Sequence, residues 1–177
     1  MPATDPLVGR VRAALADAAA RLAAAGARTE ALAEYVPPGR LLMVPRPERM
    51  RRLGSVWRLG VLLLDAAPGT EPALYATGSI TRAHEPGRAT YVAASAERRR
   101  QLRVAAFRGH FDAGETVNFD AEPIALDQSL VGASGALTVR EGAAFVRWSA
   151  ADPDALVRFE DYLADRVDLL VSPPDGA

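Results

Sequence analysis

The residues best able to bind an anion are four arginines in the middle of the chain: Arg98, Arg99, Arg100 and Arg103. They lie in a segment predicted to be helical, in which residues four apart share a face. The guanidinium groups of Arg99 and Arg103 can therefore hold one phosphate or carboxylate between them. The alternative is a solvated helix face. Arg99, Arg100 and Arg103 are the candidate anion-binding residues.

A second candidate site is a polar group in the segment that follows these arginines. A histidine among carboxylates can ligate a divalent metal or exchange protons, and functional residues concentrate in loops. The spacing matches no known metal motif, so we expect no metal ion and no other cofactor. The alternative is that these side chains form turns and hydrogen bonds. The candidate pocket residues are His110, Asp112, Asn118 and Asp120, with Glu115 and Glu122 nearby.

Two missing residue types exclude several chemistries. The chain has no cysteine, which excludes disulfides, thiolate metal sites and cysteine nucleophiles. It has no lysine either, which excludes Schiff-base chemistry, a P-loop lysine and a Ser-x-x-Lys nucleophile. Ser79 and Ser134 lie near glycines but do not fit the pattern Gly-x-Ser-x-Gly. No catalytic residue is identified, and the sequence leaves open whether the protein is an enzyme.

Charge is distributed unevenly along the chain, although the formal net charge is only −1. Residues 40–58 contain six arginines and one acidic residue, whereas residues 112–127 contain five acidic residues and no arginine. Such segregation steers an anionic ligand to one face or makes two copies complementary; solvated faces are the alternative. Because the total charge is not basic and aromatic residues do not alternate with the arginines, we expect no nucleic-acid binding.

The elements that must position these residues are centred on residues 51–82. This stretch predicts two strands joined by a turn at Pro68-Gly69, and the first strand is apolar on both faces, as central strands are. Gly60 and Gly78 lie within the strands, where glycine serves a bend, a bulge or a close backbone approach. The class is α+β, with a curved antiparallel sheet of about five or six strands, or a partial barrel.

Helices are predicted near the N-terminus, in the middle and near the C-terminus of the chain. Cap-then-proline pairs start the first helix at Asp5 and the last at Asp152, while Ser95 caps the middle helix over residues 96–108. A second short helix is expected over residues 29–34. The remaining predicted elements are extended segments at residues 41–44, 89–94, 116–120 and 123–126, and a hairpin over residues 135–149.

A chain of 177 residues, 49% of them hydrophobic, fits one domain. We expect a single domain over residues 1–177, with an N-terminal helical segment at 5–35, a sheet and helices at 40–171, and a frayed tail at 172–177. The N-terminal region lacks the pattern of a secretory signal, and its alanine-rich stretch is broken by charges. The sequence therefore predicts a cytoplasmic protein with no membrane partner.

Three stretches resemble a small family of uncharacterised actinobacterial proteins: LGSVWRLGVLLL, LYATGSITRA and GETVNFDAEPIALD. The resemblance covers the chain from Arg40 to the final helix. Members of that family are sometimes labelled glutaminases. Serine-type glutaminases use a Ser-x-x-Lys nucleophile and the amidotransferase type uses a cysteine. Because this chain has neither lysine nor cysteine, the resemblance carries over no catalytic residue.

The sequence favours a soluble domain that self-associates, as a homodimer or another homo-oligomer, and binds a small anionic molecule. This expectation rests on the segregated charge, the amphipathic terminal helices and the absence of a catalytic pattern. One alternative is a small amidohydrolase-like hydrolase that uses carboxylates and His110. Another is a protein–protein interaction module, which the sequence does not distinguish from a self-associating domain that binds an anion.

Overall fold

The computed structural model describes residues 6–67, 69, 71–87, 94–149, 151–152 and 154–173. Two compact units divide the chain: the first unit (residues 1–29, 56–77 and 122–177) and the second unit (residues 30–55 and 78–121). The single domain expected from the sequence stays a prediction. The helices and strands are α1 Pro6–Ala24, β1 Glu30–Val36, β2 Gly39–Leu41, β3 Val44–Arg46, β4 Arg49–Leu59, β5 Leu62–Asp65, β6 Leu74–Ala76, β7 Ser79–Arg82, α2 Ala94–Arg108, β8 Thr116–Phe119, β9 Glu122–Ile124, β10 Leu137–Arg140, β11 Ala143–Arg147, β12 Leu156–Arg158 and α3 Phe159–Val171.

The main sheet is open and mixed, and within the described residues it has seven strands in the order β7-β8-β1-β4-β5-β6-β9. β1 pairs with β8 in parallel, whereas β4–β5, β5–β6, β6–β9 and β7–β8 are antiparallel. Two smaller sheets are formed by β10-β11-β12 and by β2-β3. The α+β class is confirmed. The sheet is not purely antiparallel, because β1 and β8 are parallel, and among the described residues it has more strands than the five or six expected.

The short helix expected over residues 29–34 is wrong, because this segment forms β1. Alanine and glutamate favour a helix locally, but so short a helix is marginal without tertiary support. Ala31 and Leu32 instead pair in register with Val117 and Asn118 of β8. The side chains of Ala31, Leu32 and Ala33 are all buried, so both faces of β1 are covered. The N-terminal helical segment therefore ends with α1.

The long apolar strand expected from residue 51 is divided into two antiparallel strands. β4 ends at Leu59, which pairs with Leu62 at the start of β5. The chain reverses at Gly60, whose φ of 65° is a conformation that glycine adopts without a steric penalty. Both predicted mid-strand glycines therefore lie outside strands. β5 and β6 are antiparallel neighbours, while Pro68 of the predicted Pro68-Gly69 turn lies outside the described residues.

Gly78 lies between β6 and β7, where two backbones approach closely. A Cβ atom at this position would be 2.0 Å from the carbonyl oxygen of Asp120. Of the roles expected for a mid-strand glycine, close backbone approach is the one observed. This contact divides the strand expected over residues 73–82 into β6, which pairs with β9, and β7, which pairs with β8.

The core of the first unit packs the buried stripe of α1 with apolar residues of α3 and of the neighbouring strands. Val11, Leu15 and Leu22 of α1 are fully or nearly buried, as is Phe159 at the start of α3. The last helix was expected to follow Asp152 directly, and this start is wrong. Residues 156–158 form β12 because they complete a sheet with β11. Of the frayed tail expected over residues 172–177, residues 174–177 lie outside the described residues.

The core of the second unit lies beneath α2, which buries Val104, Ala105 and Ala106. Ala105 and Ala106 share this core with residues of β1 and β8, and with Met50 and Phe111. The middle helix is confirmed, although it begins at Ala94 and so includes the expected cap Ser95. Of the strand expected over residues 89–94, residues 89–93 lie outside the described residues.

The extended segment expected over residues 41–44 is a small hairpin of β2 and β3. Its two turn residues, Leu42 and Met43, both have positive φ. The hairpin expected near the C-terminus is confirmed as β10 and β11, with Glu141 and Gly142 at its turn. No helix within the described ranges is long and apolar enough to cross a membrane.

The hydroxyl of Tyr162 holds the β4–β5 turn, and its removal should destabilise the protein. The hydroxyl donates to the carbonyl of Leu59 and accepts from the N–H of Val61, each at 2.9 Å. Tyr162→Phe leaves both backbone groups without this partner, so we expect the free energy of unfolding to fall by about 1–3 kcal/mol in urea denaturation.

The matched control for this prediction is Tyr75→Phe. The Tyr75 hydroxyl makes no hydrogen bond with another described residue, so its removal should change the unfolding free energy much less. Equal losses in the two variants would contradict the assignment of the turn to the Tyr162 hydroxyl.

Candidate anion-binding site

A cleft of about 560 Å³ lies at one edge of the second unit. β7 ends at Arg82, which pairs with Thr116 at the start of β8, while β1 begins at Glu30. The cleft opens where these three strand ends meet, beside the outer face of α2. Its lining residues are Glu30, Ile80, Thr81, Arg82, Ala83, His84, Arg99, Leu102, Arg103, Gly114 and Thr116.

Three arginines give the cleft its positive charge. Arg99 and Arg103 lie one turn apart on α2, and Arg82 is the last residue of β7. The backbone N–H of His84 donates to the carbonyl of Arg103 at 3.2 Å, which fixes the segment after β7 to the helix. None of the three guanidinium groups makes an ion pair or a hydrogen bond with any other described residue. Their donors are therefore available to a ligand.

Arg100, the third candidate from the sequence, does not line this cleft. Its guanidinium donates twice to the carboxylate of Glu97, at 2.9 Å and 2.7 Å. This hydrogen bonding lowers the pKa of the Glu97 carboxyl and raises the pKa of Arg100. Arg100 is thus part of a pair within α2, while Arg99 and Arg103 remain directed to the cleft lining.

Arg98 contacts residues of the second unit that lie outside α2. Its guanidinium donates to the carboxylate of Glu48 at 3.0 Å and lies 5.2 Å from the centre of the Tyr35 ring. The Tyr35 hydroxyl donates to the same carboxylate. Burial, and then the hydrogen bond to Glu48, raise the pKa of Tyr35. Of the four clustered arginines, two are engaged by acidic partners and two line the cleft.

Glu30 places a carboxylate at the edge of the cleft, and Asn118 helps to hold it. Asn118 is 1% exposed, and its amide donates to Glu30 at 2.8 Å and to the carbonyl of Ala31 at 3.2 Å. The parallel pairing of β1 with β8 brings these residues together. With three guanidinium groups against one carboxylate, the lining keeps a positive charge.

The other members of the polar group occupy exposed turns. His110 follows α2 with a φ of 63°, and its N–H donates to the carbonyl of Phe107, so it ends the helix. Asp112 is exposed, and its N–H donates to the Glu115 carboxylate at 2.9 Å. Asp120 is an exposed residue of positive φ between β8 and β9. These positions fit the turn-forming alternative.

No group of three or more histidine, cysteine, aspartate or glutamate side chains that could hold a metal ion occurs among the described residues. Asn118 is the member of the predicted polar pocket that contacts a cleft residue, through Glu30. Sequence reasoning missed Arg82, His84 and Glu30 as site residues. Arg82 and His84 stand at the end of a predicted strand, a common place for binding residues, but Glu30 was assigned to a helix.

The lining can bind an anion and contact its carbon skeleton. Guanidinium groups present fixed forks of N–H donors that match phosphate and carboxylate oxygens. Ile80 and Leu102 supply apolar surface beside them, and Ile80 is 53% exposed. Comparisons of the chain with known protein families, with curated proteins and with solved structures find no match. The resemblance to the actinobacterial family stays a prediction.

Because Arg100 pairs with Glu97, its replacement should change the pKa of the Glu97 carboxyl more than replacement of the neighbouring Arg99. Arg100→Gln removes the charge-assisted hydrogen bonds, so the pKa of Glu97 should rise towards its ordinary value. Because the folded-state pKa is lowered, the pair's contribution to stability is present above the ordinary pKa of glutamate. It is lost as the pH falls through the lowered value. A carboxyl carbon NMR titration measures the pKa directly.

The control for this titration is Arg99→Gln, which removes the adjacent arginine from the cleft and leaves the Glu97 pair intact. The pKa of Glu97 should change much less in this variant. A Glu97 pKa that does not move in Arg100→Gln would contradict the pairing.

Proposed function

We propose that the second unit binds a small molecule carrying a phosphate or carboxylate group, in the cleft between α2 and the ends of β1, β7 and β8. The observation that carries this proposal is the set of three guanidinium groups, from Arg82, Arg99 and Arg103, that line one cleft without acidic partners among the described residues. An anion supplies the missing charge and accepts their hydrogen bonds.

Electrostatics favours an occupied cleft over an empty one. Three like charges around one space repel each other, and a bound anion converts this repulsion into attraction. The neighbouring Arg98 and Arg100 already have acidic partners, Glu48 and Glu97, whereas Arg99 and Arg103 have none among the described residues.

The size and lining of the cleft favour a small metabolite over a single inorganic ion. A volume of about 560 Å³ lies within the range of about 300–1,000 Å³ typical of small-molecule sites. Ile80 and Leu102 offer apolar contacts to a carbon skeleton, and Glu30 accepts hydrogen bonds at the edge of the cleft. The expected ligand therefore has an anionic group attached to a partly apolar body.

The hydrolase alternative has weaker support. It requires His110 to act with nearby carboxylates, but His110, Asp112 and Asp120 are exposed residues of a helix end and of turns. We therefore favour binding over hydrolysis. The cytoplasmic location, the actinobacterial origin and the absence of nucleic-acid binding stay predictions from the sequence.

The double variant Arg99→Glu/Arg103→Glu tests the proposed site. With inorganic pyrophosphate as the probe, isothermal titration calorimetry should show saturable binding to the native protein, weaker at high salt. Each lost charge-assisted hydrogen bond contributes about 1.5–3 kcal/mol, so affinity should fall by a factor of about ten or more per arginine.

The matched control is Arg10→Glu/Arg28→Glu, which makes the same change in net charge at two exposed arginines of the first unit. Pyrophosphate binding should persist in this control. If both double variants lose binding equally, the anion responds to total charge and the proposed cleft is wrong. If the native protein does not bind pyrophosphate, the site has no affinity for phosphate groups and the proposal fails for that class.

A further inference from the structure

The β2–β3 hairpin of the second unit ends in an exposed apolar tip formed by Leu42, Met43 and Val44. Their exposed fractions are 89%, 90% and 62%. Single exposed apolar residues are common on protein surfaces, but three consecutive ones at a hairpin tip form a continuous patch. This patch is suited to insertion into a recess on another molecule.

The residues at the tip are unfavourable for the turn they make. Leu42 has a φ of 47° and Met43 a φ of 70°, the left-handed conformation required at both centres of a two-residue hairpin turn. Asn-Gly suits this turn, whereas side chains such as those of leucine and methionine are strained in it. Since their side chains are almost wholly exposed, burial does not offset the strain. A role in binding explains why large apolar residues occupy these positions.

Positive charge is concentrated at the base of the hairpin. A second cleft, of about 500 Å³, is lined there by four arginines, Arg40, Arg46, Arg49 and Arg108. None of them makes an ion pair with another described residue. A hairpin with an apolar tip and arginines at its base therefore suits an apolar recess with an acidic rim.

The first unit of the same chain has a recess of this kind. It is a cleft of about 410 Å³, lined by Trp148, Val61, Val157, Tyr162, Gly60 and the side chains of Asp161, Asp165 and Arg166. Trp148 is 56% exposed, and tryptophan is the residue type most enriched at the energetic centres of interfaces. The volume is sufficient for two side chains such as those of Leu42 and Met43.

The two units also carry opposite net charge. The second unit has 12 arginines and 8 acidic residues, while the first unit has 9 arginines and 14 acidic residues. Their formal charges are therefore +4 and −5, which together give the −1 of the whole chain. Opposite charge on the tip-bearing and recess-bearing units favours association between copies and sets its direction.

We propose that the hairpin tip of one copy docks into the Trp148 cleft of a second copy, so that the chain self-associates head to tail. Leu42 and Met43 provide the apolar contact with Trp148, and the arginines at the hairpin base face a rim that holds Asp161 and Asp165. Asp165 is paired with Arg166 at 3.5 Å, so the rim carries two carboxylates against one guanidinium group. This contact is independent of the anion-binding cleft, whose lining shares none of these residues.

A contact between two different surfaces leaves one tip and one cleft unoccupied at the ends of every open assembly. Such heterologous association produces a ring if the rotation closes and a chain of copies if it does not. Association should increase with protein concentration and weaken as salt rises, because the charged rim is exposed to solvent.

Two variants remove the two sides of the contact separately. The tip variant Leu42→Asn/Met43→Gly deletes the apolar patch and introduces the residues that this turn favours, so its fold should be at least as stable as that of the native protein. The cleft variant Trp148→Arg replaces the exposed indole with a charge that repels the arginines of the hairpin base. Each variant alone should be monomeric in sedimentation velocity at concentrations at which the native protein associates.

Mixing the two variants gives the decisive result. The tip variant keeps an intact cleft and the cleft variant keeps an intact tip, so an equimolar mixture should form a one-to-one complex and no larger species. Absence of this complex would overturn the proposal. So would a native protein that stays monomeric at millimolar concentration, or a tip variant that associates like the native protein.

The control variant is Leu53→Asn, which removes an exposed apolar residue outside the hairpin tip; Leu53 is 57% exposed in β4. It should associate like the native protein. If it is as monomeric as the tip variant, loss of apolar surface in general explains the effect and the specific contact is wrong. Association that does not weaken in high salt would overturn the role of the arginines.

Discussion

The parallel pairing of β1 with β8 is the constraint on which the second unit depends. It joins residues more than eighty positions apart in sequence, for example Ala31 and Val117, so its formation costs loop-closure entropy that local interactions cannot offset. Burial of apolar residues along both strands and beneath α2 offsets this cost. Ala105 and Ala106 present only methyl groups to this core, which lets the helix lie close to the strands.

The same pairing assembles the proposed site. β8 lies between β1 and β7 in the sheet. Because β7 is antiparallel to β8, β7 ends where β8 begins, and Arg82 pairs with Thr116. The helix then contributes Arg99 and Arg103, while Arg98 and Arg100 are occupied by Glu48 and Glu97. A run of arginines that looks uniform in sequence is therefore divided into members paired with acidic residues and members that line the cleft.

The two units differ in their charge and in their exposed surfaces. The second unit is basic and carries a strained apolar hairpin tip, whereas the first unit is acidic and carries an exposed tryptophan beside an apolar cleft. Uneven charge along the chain is thus a property of the compact units, and the proposed self-association rests on this difference.

The sequence by itself determined the elements whose signals are local. Helical spacing from Leu7 to Leu22 and the pair Glu141-Gly142 were sufficient to predict α1 and the β10–β11 hairpin, because each depends on nearby residues. Only the tertiary structure decided that residues 30–36 form a strand, that Gly60 is a turn and that Arg82 and Glu30 share a cleft with Arg99. Those outcomes depend on pairing and close approach between distant segments, and no local pattern encodes the partner.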